Sequence, residues 1–199
     1  LEHYEAVAKA YLRGIQCHPD PHRVTSVASV FVSRLDAVAD RLLEKIGSPD
    51  ALALRGKIAI ANARRVYRRF RELFDGEPFT APKRRGARVQ RPLWASTGTK
   101  NAAYSDVLYI EGLIGPDTIT TVPPATLDAF RDHGRVRVTL GTQEQETEAV
   151  LRAAADLGID VHAVTEQLQA DGIIAFASSF DQLVAAVGEK RRQIFTTAS

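Results

Sequence analysis

The stretch Pro92-Leu93-Trp94-Ala95-Ser96-Thr97-Gly98-Thr99-Lys100 limits the fold of this chain more than any other. It is a short apolar run, holding the only tryptophan, that stops abruptly in hydroxyls, a glycine and a cation. A strand of this kind ends at the mouth of a sheet, where α/β proteins present backbone N–H groups, hydroxyls and positive charge to anionic ligands. A second run precedes it. Val24, Val27, Ala28, Val30, Phe31 and Val32 make residues 24–32 almost continuously apolar, the pattern of a parallel strand covered on both faces. It too ends in polar residues, Ser33-Arg34-Leu35-Asp36.

The elements between and around these strands alternate with them. Tyr4, Val7, Ala8, Tyr11, Leu12 and Ile15 predict a helix over residues 2–16, broken by Cys17-His18-Pro19-Asp20-Pro21-His22. After the first strand, Leu35, Val38, Leu42, Leu43 and Ile46 form a helical stripe that stops at Gly47-Ser48-Pro49. A long helix is predicted from about 50 to 74, with Ile58, Ala61, Val66, Phe70 and Leu73 inward and a basic outer face. A helical or irregular segment with Tyr104, Tyr109 and Leu113 follows the second strand. A third strand is predicted over 118–122, then a helix from Pro124 to His133-Gly134, then a short extended segment over 136–140. Thr142 and Gln145 have capping-box spacing for a helix ending at Leu157-Gly158. A helix over 161–170 stops at Asp171-Gly172, and Ser179 with Gln182 caps a last one through Arg191.

This β/α order predicts a parallel sheet with right-handed crossovers. A closed barrel needs eight strands and about 250 residues. Three or four strands would leave apolar edges open, so the chain reads as the C-terminal part of a (β/α)8 barrel, incomplete in itself, with residues 1–199 as a single domain. The 45% hydrophobic content supports a sizeable core. No uninterrupted apolar run approaches the ~18 residues of a membrane span, so no membrane partner is expected. Leu1-Glu2-His3-Tyr4-Glu5 reads as a polar helix start and not as a secretion signal. With no methionine at position 1 or elsewhere, the chain need not begin where its gene begins. A lone Cys17 suits a reducing cytoplasm.

Residues 64–91 hold ten cations, from Arg64 to Arg91, against Glu72, Asp75 and Glu77. A nucleic-acid surface is one reading. The other is a solvated helix face and a basic loop, favoured by the weak net charge of +2. Cys17, His18 and His22 lie at irregular spacing around two prolines, so a surface loop is expected there and not a metal site.

At the strand ends, Arg34 is suited to clamping a phosphate with paired hydrogen bonds. Its alternative role is an ion pair with Asp36 or Asp40. Ser29 and Phe31 share one side of their strand and would face a substrate or fill the interior. Ser96 and Lys100 can bring a hydroxyl and a cation to the same phosphate. A Schiff-base lysine must be desolvated or set beside another cation. None of the six lysines lies inside an apolar strand, and Lys100 follows a glycine-containing loop where it would be solvated. No paired acids stand at the strand ends, so no catalytic acid/base set is expected in this chain.

Residues 26–36, Ser-Val-Ala-Ser-Val-Phe-Val-Ser-Arg-Leu-Asp, resemble the sixth-strand segment of transaldolases, especially the longer bacterial form of actinobacteria. Residues 90–101, with Ala103-Tyr104-Ser105-Asp106, resemble that family's seventh strand and loop, and residues 118–127 its eighth. The resemblance implies a β/α barrel of the pentose phosphate pathway. Such an enzyme moves a dihydroxyacetone unit from sedoheptulose 7-phosphate to glyceraldehyde 3-phosphate, through a lysine Schiff base and without a cofactor. By motif position, Arg34 and Ser96 match phosphate-binding residues, Ser29 and Phe31 match cleft-lining residues, and Lys100 matches a phosphate contact. The family's Schiff-base lysine sits on its fourth strand and its acidic catalytic residues on the first and third, so none is expected here. The resemblance therefore implies sugar phosphates and the missing N-terminal half of the barrel as partners, allows a homo-oligomer, and implies no metal. The alternative is a catalytically inactive phosphosugar-binding or interaction remnant of the fold.

Overall fold

The structure, a computed structural model, describes residues 1–197. It comprises two compact units, one spanning Leu1–Val161 and a second beginning at His162. The first unit is α/β. Its helices are α1 (Glu2–Cys17), α2 (Ser33–Ile46), α3 (Pro49–Leu52), α4 (Ile58–Phe74), α5 (Glu77–Arg84), α6 (Leu108–Gly112), α7 (Pro124–His133) and α8 (Glu144–Asp156). Its strands are β1 (Ser26–Phe31), β2 (Gln90–Ala95) and β3 (Ile119–Thr120), in a parallel sheet of order β1-β2-β3. The parallel α/β class predicted from the apolar strands is what forms.

In β1, Ala28 is buried while Val27, Ser29 and Phe31 are exposed on the other side. Ala28 opposes Pro92 and Val30 opposes Trp94 in the ladder, so the buried side of the sheet runs through Trp94, which is fully buried. Burying a side chain of that size contributes several kcal/mol, the largest single term one residue of this sheet offers. Behind it, an aromatic row knits the helices. Tyr11 of α1 meets Phe74 of α4, Phe74 meets Phe70, and Phe79 of α5 meets Phe74 edge-on at 5.3 Å.

Several expectations are corrected. The predicted helix over 50–74 is broken into α3 and α4, because residue 56 adopts φ +72°, which only glycine accepts without strain. Residues 77–84, expected as a basic loop, form α5; Pro78 sits in its first turn and Phe79 is buried, so packing organises the segment. Residues 136–140 are not a strand. The amides of Thr139 and Leu140 both donate to the Ile114 carbonyl (2.9 and 3.0 Å), tying this segment to the end of α6. Gln143, not Thr142, stands at the N-cap of α8, and Thr142 Oγ1 donates to the Thr139 carbonyl, so the capping box does not form.

The arginine face of α4 is not simply solvated. Arg64, with 15% of its side chain exposed, donates to Gln143 (2.5 Å) and pairs with Glu146. Arg68 pairs with Glu148, Arg69 with Glu5 and Glu72, and Arg71 with Asp117. The cations bind α4 to α1, α8 and the segment before β3. Arg69 and Lys9 together hold the Glu5 carboxyl down to about 2. Downstream, Arg85 donates to the carbonyls of Gln16 and His18, closing the end of α1.

The second unit is α9, a helix spanning Val161–Thr197. Neither Asp171-Gly172 nor the Ser179 cap interrupts it; Ser179 Oγ donates backward to the Ala175 carbonyl, the bond of a helix-interior serine. By length and composition this helix could cross a membrane, with a mean hydropathy of 1.3 over its most apolar window. Asp171 and Asp181 divide the stretch, so it holds no uninterrupted apolar run of that length. Its exposed apolar residues Ile173, Phe176, Phe180, Leu183 and Val187 recur in alternating three- and four-residue steps, with Ile174 and Val184 beside them, the spacing of an apolar helix face.

Candidate anion site at the strand ends

The ladder between β1 and β2 does not stop at its last registered pair, Phe31 with Ala95. The Val32 amide donates to the Ala95 carbonyl (2.9 Å) and the Ser33 amide to the Ser96 carbonyl (3.0 Å). The two chains therefore leave the sheet together, and the first turn of α2 is fixed beside Ser96. Ser96 itself adopts φ 56°, the left-handed region where a non-glycine residue stores strain. The next residue secures it: Thr97 is buried and its hydroxyl donates to the Thr121 carbonyl (2.6 Å). On the far side of β2, the Thr121 amide donates to the Trp94 carbonyl (3.0 Å).

Arg34 stands in this first turn, exposed, with its guanidinium 4.6 Å from the centre of the Phe31 ring. A cation over an aromatic face is attracted by the ring's negative face. Ser29, Phe31, Arg34 and Ser96 thus come from adjoining strand ends, Ser29 and Phe31 on the open side of β1. Lys100 is exposed and lines a separate open hollow of about 580 Å³ with Thr99, Asn101, Tyr104, Ser105 and Asp106. Arg34 and Ser96 are not among the residues lining that hollow.

Asp36 and Asp40, the alternative partners expected for Arg34, are each held by two other donors. Asp36 is 1% exposed; it accepts from the Ala59 amide (2.8 Å) and from the Tyr109 hydroxyl (2.9 Å). Asp40 accepts from the Gly56 amide (3.1 Å) and from the Tyr104 hydroxyl (2.6 Å). Burial pushes the Asp36 carboxyl up to about 6, with the Ala59 and Tyr109 hydrogen bonds opposing and the nearby Asp40 charge adding. Burial and the adjacent carboxylates push both tyrosine hydroxyls above their ordinary range. These four residues were not among the predicted site residues. The signal was present in the spacing: Leu35, Asp36, Ala39, Asp40 and Leu43 are the buried face of α2, while Leu42 and Ile46, placed in the predicted stripe, are 37% and 42% exposed.

Among the described residues, no group of three or more His, Cys, Asp or Glu is gathered as a metal site would require. The arrangement offers instead a guanidinium, a strained serine and the end of a helix at one rim, the equipment for binding an anion.

A family model described as transaldolase/fructose-6-phosphate aldolase matches residues 1–187. The chain is 44% identical to the transaldolase of Mycolicibacterium smegmatis over 192 residues, which cover 94% of this chain and 52% of that protein. It is 44% identical to transaldolase 1 of Streptomyces coelicolor, covering 50% of it, and 45% identical to the transaldolase of Thiobacillus denitrificans, covering 52%. The chain spans about half the length of the curated relatives it matches.

Proposed function

This chain belongs to the transaldolase/fructose-6-phosphate aldolase family, and on that premise we propose that it supplies the phosphate-holding part of a transaldolase barrel, with β1, β2 and β3 standing as the barrel's strands six to eight. In this reading Arg34 and Ser96 hold the substrate phosphate, Ser29 and Phe31 line the sugar cleft, and Lys100 adds positive charge nearby. The chain contributes no catalytic residue. The Schiff-base lysine and its acid/base partners come from the complementary half of the barrel, and the whole transfers a dihydroxyacetone unit from sedoheptulose 7-phosphate to glyceraldehyde 3-phosphate in the cytoplasm.

The observation that carries the reading is the continued pairing of Val32 with Ala95 and Ser33 with Ser96, which sets Arg34 and Ser96 at one rim. The open side of β1, with Val27, Ser29 and Phe31 exposed, and its single neighbour in the sheet support a complementary half as the partner. A second reading, a non-catalytic phosphosugar-binding remnant, is favoured by the buried core that Leu1–Val161 builds around Trp94.

Borohydride reduction in the presence of fructose 6-phosphate tests both. The chain alone is expected to gain no covalent adduct; a reduced adduct on one of its own lysines, Lys100 first, overturns the assignment of the nucleophile. Adding the N-terminal half of the Mycolicibacterium smegmatis relative is expected to yield an adduct on that half's lysine, and its absence favours the remnant.

A further inference from the structure

We propose that Asp36 and Asp40 are positioning residues of the anion site: through Tyr109 and Tyr104 they hold the segment that follows Ser96 against α2, the helix that carries Arg34. The proposal rests on the reading of Arg34 and Ser96 as phosphate contacts. It assigns to four residues outside that set the task of keeping the two contacts in place.

The geometry is a doubled clamp. Asp36 and Asp40 stand one helical turn apart on the same face of α2. Each uses one oxygen for a backbone amide at the α3–α4 junction, Ala59 for Asp36 and Gly56 for Asp40, and the other for a tyrosine hydroxyl beyond β2. Both bonds to tyrosine span long separations in the chain, 73 residues for Asp36–Tyr109 and 64 for Asp40–Tyr104. The loop from Ser96 is thereby anchored twice, by Thr97 on the Thr121 carbonyl and by Tyr104 on Asp40. Between those anchors lie residues 98–103, including Lys100. The Asn101 side chain accepts from the Ala103 amide (2.9 Å) and shapes the turn inside the bracket.

Two buried carboxylates are a poor way to gain stability, because apolar residues of similar volume would do as well or better. What a carboxylate gives is direction: two acceptors at fixed angles, each committed to a donor on a different segment. A phosphate site needs that direction, since a misplacement of about 1 Å in a binding group has large consequences.

The experiment compares the 199-residue chain with Tyr104→Phe, Asp40→Asn, the double variant and Arg34→Ala. Two quantities are read: hydrogen exchange at the amides of residues 98–103, and the affinity for inorganic phosphate followed by amide shifts at residues 96–100. Tyr104→Phe is expected to speed exchange in 98–103 at least tenfold while the amides of α4 keep their protection, and to weaken phosphate binding by five- to twentyfold. The double variant is expected to fall short of the sum of the single ones, because both alter the Tyr104–Asp40 contact, while Asp40→Asn also leaves a single oxygen to serve the Gly56 amide. Unchanged exchange in Tyr104→Phe, or loss of protection in α4 to the same degree, overturns the positioning role. Absence of phosphate binding in the unsubstituted chain, or binding untouched by Arg34→Ala, overturns the phosphate reading, while the exchange comparison still decides whether the clamp holds the loop.

Discussion

Replacing Gly56 with alanine is the most direct probe of the clamp's foundation. Residue 56 adopts φ +72°, which costs an L-residue about 1–2 kcal/mol. A Cβ there would also meet the Tyr104 ring, 3.0 Å from Cζ and 3.2 Å from Cε2. The ring cannot yield freely, because its hydroxyl is bound to Asp40 at 2.6 Å. If the ring moves by several tenths of an ångström, that hydrogen bond to a buried carboxylate is weakened or lost, worth roughly 1.5–3 kcal/mol. The reduced entropy of the unfolded alanine chain returns about 0.4–1 kcal/mol. Gly56→Ala is therefore expected to destabilise the chain by about 2–4 kcal/mol, read as a lower urea midpoint by circular dichroism at unchanged slope. The same substitution in a Tyr104→Ala background isolates the ring's share, and the expected cost there falls to the backbone part less the entropy return, about 0–1.6 kcal/mol. A stability within 0.5 kcal/mol of the parent chain, on the order of an ordinary surface change, refutes the strain argument. An equal cost in both backgrounds refutes the role of the ring.

Asp36 carries a pH dependence whose sign is fixed by its environment. Its carboxyl is raised from 3.8 to about 6 in the folded chain, so the folded state binds the proton more tightly than the unfolded state. Between pH 6 and pH 4 this residue's contribution should grow as pH falls, by up to roughly 3 kcal/mol in total; Asp36→Asn should flatten that part of the stability profile, and an unaltered slope would rule the residue out as its source. His133 is exposed between Asp106 (2.9 Å) and Asp132 (3.1 Å), whose hydrogen bonds raise its pKa above the ordinary 6.5. Its link to Asp106 is strongest below that raised value and fades as pH climbs through it. The imidazole proton titration followed by NMR should move back toward 6.5 in Asp106→Asn, and no movement would separate the two residues.

What the sequence made legible follows from which forces act locally. The apolar runs at 24–32 and 92–96 announced parallel strands, although β1 is covered on one face only, with Val27, Ser29 and Phe31 exposed on the other. The strand ends were readable from the same runs: Arg34 and Ser96 stand where apolar character stops, and the paired backbone beyond β1 and β2 brings those two stops together. The break between α3 and α4 was not readable, because Gly56 inside a helical pattern is tolerated in many proteins and only the Asp40 acceptor and the Tyr104 ring settle it here. The arginines of α4 looked solvated because their carboxylate partners, Glu5, Asp117, Glu146 and Glu148, are distant in sequence. Asp36 and Asp40 were weighed only as partners of the nearest cation, whereas their donors are tyrosines more than sixty residues away. In α9, Gly172 and Ser179 carried stop and cap signals that the continuous helix overrides, and its apolar face became visible only when the two apparent helices proved to be one.

The order of strands in the sheet also governs the time course of folding. Each strand is laid beside its immediate predecessor, so a chain growing from its N-terminus never leaves a gap to be filled by a later segment. The two crossovers differ in length: Val30 opposite Trp94 closes 64 residues, and Trp94 opposite Thr120 closes 26. The longer closure costs about 0.8 kcal/mol more in chain entropy, yet it gains six registered pairs against two. The cheap contact is therefore the weak one and the expensive contact the lasting one, which makes the meeting of β1 and β2 the slow event on which the rest of the sheet depends.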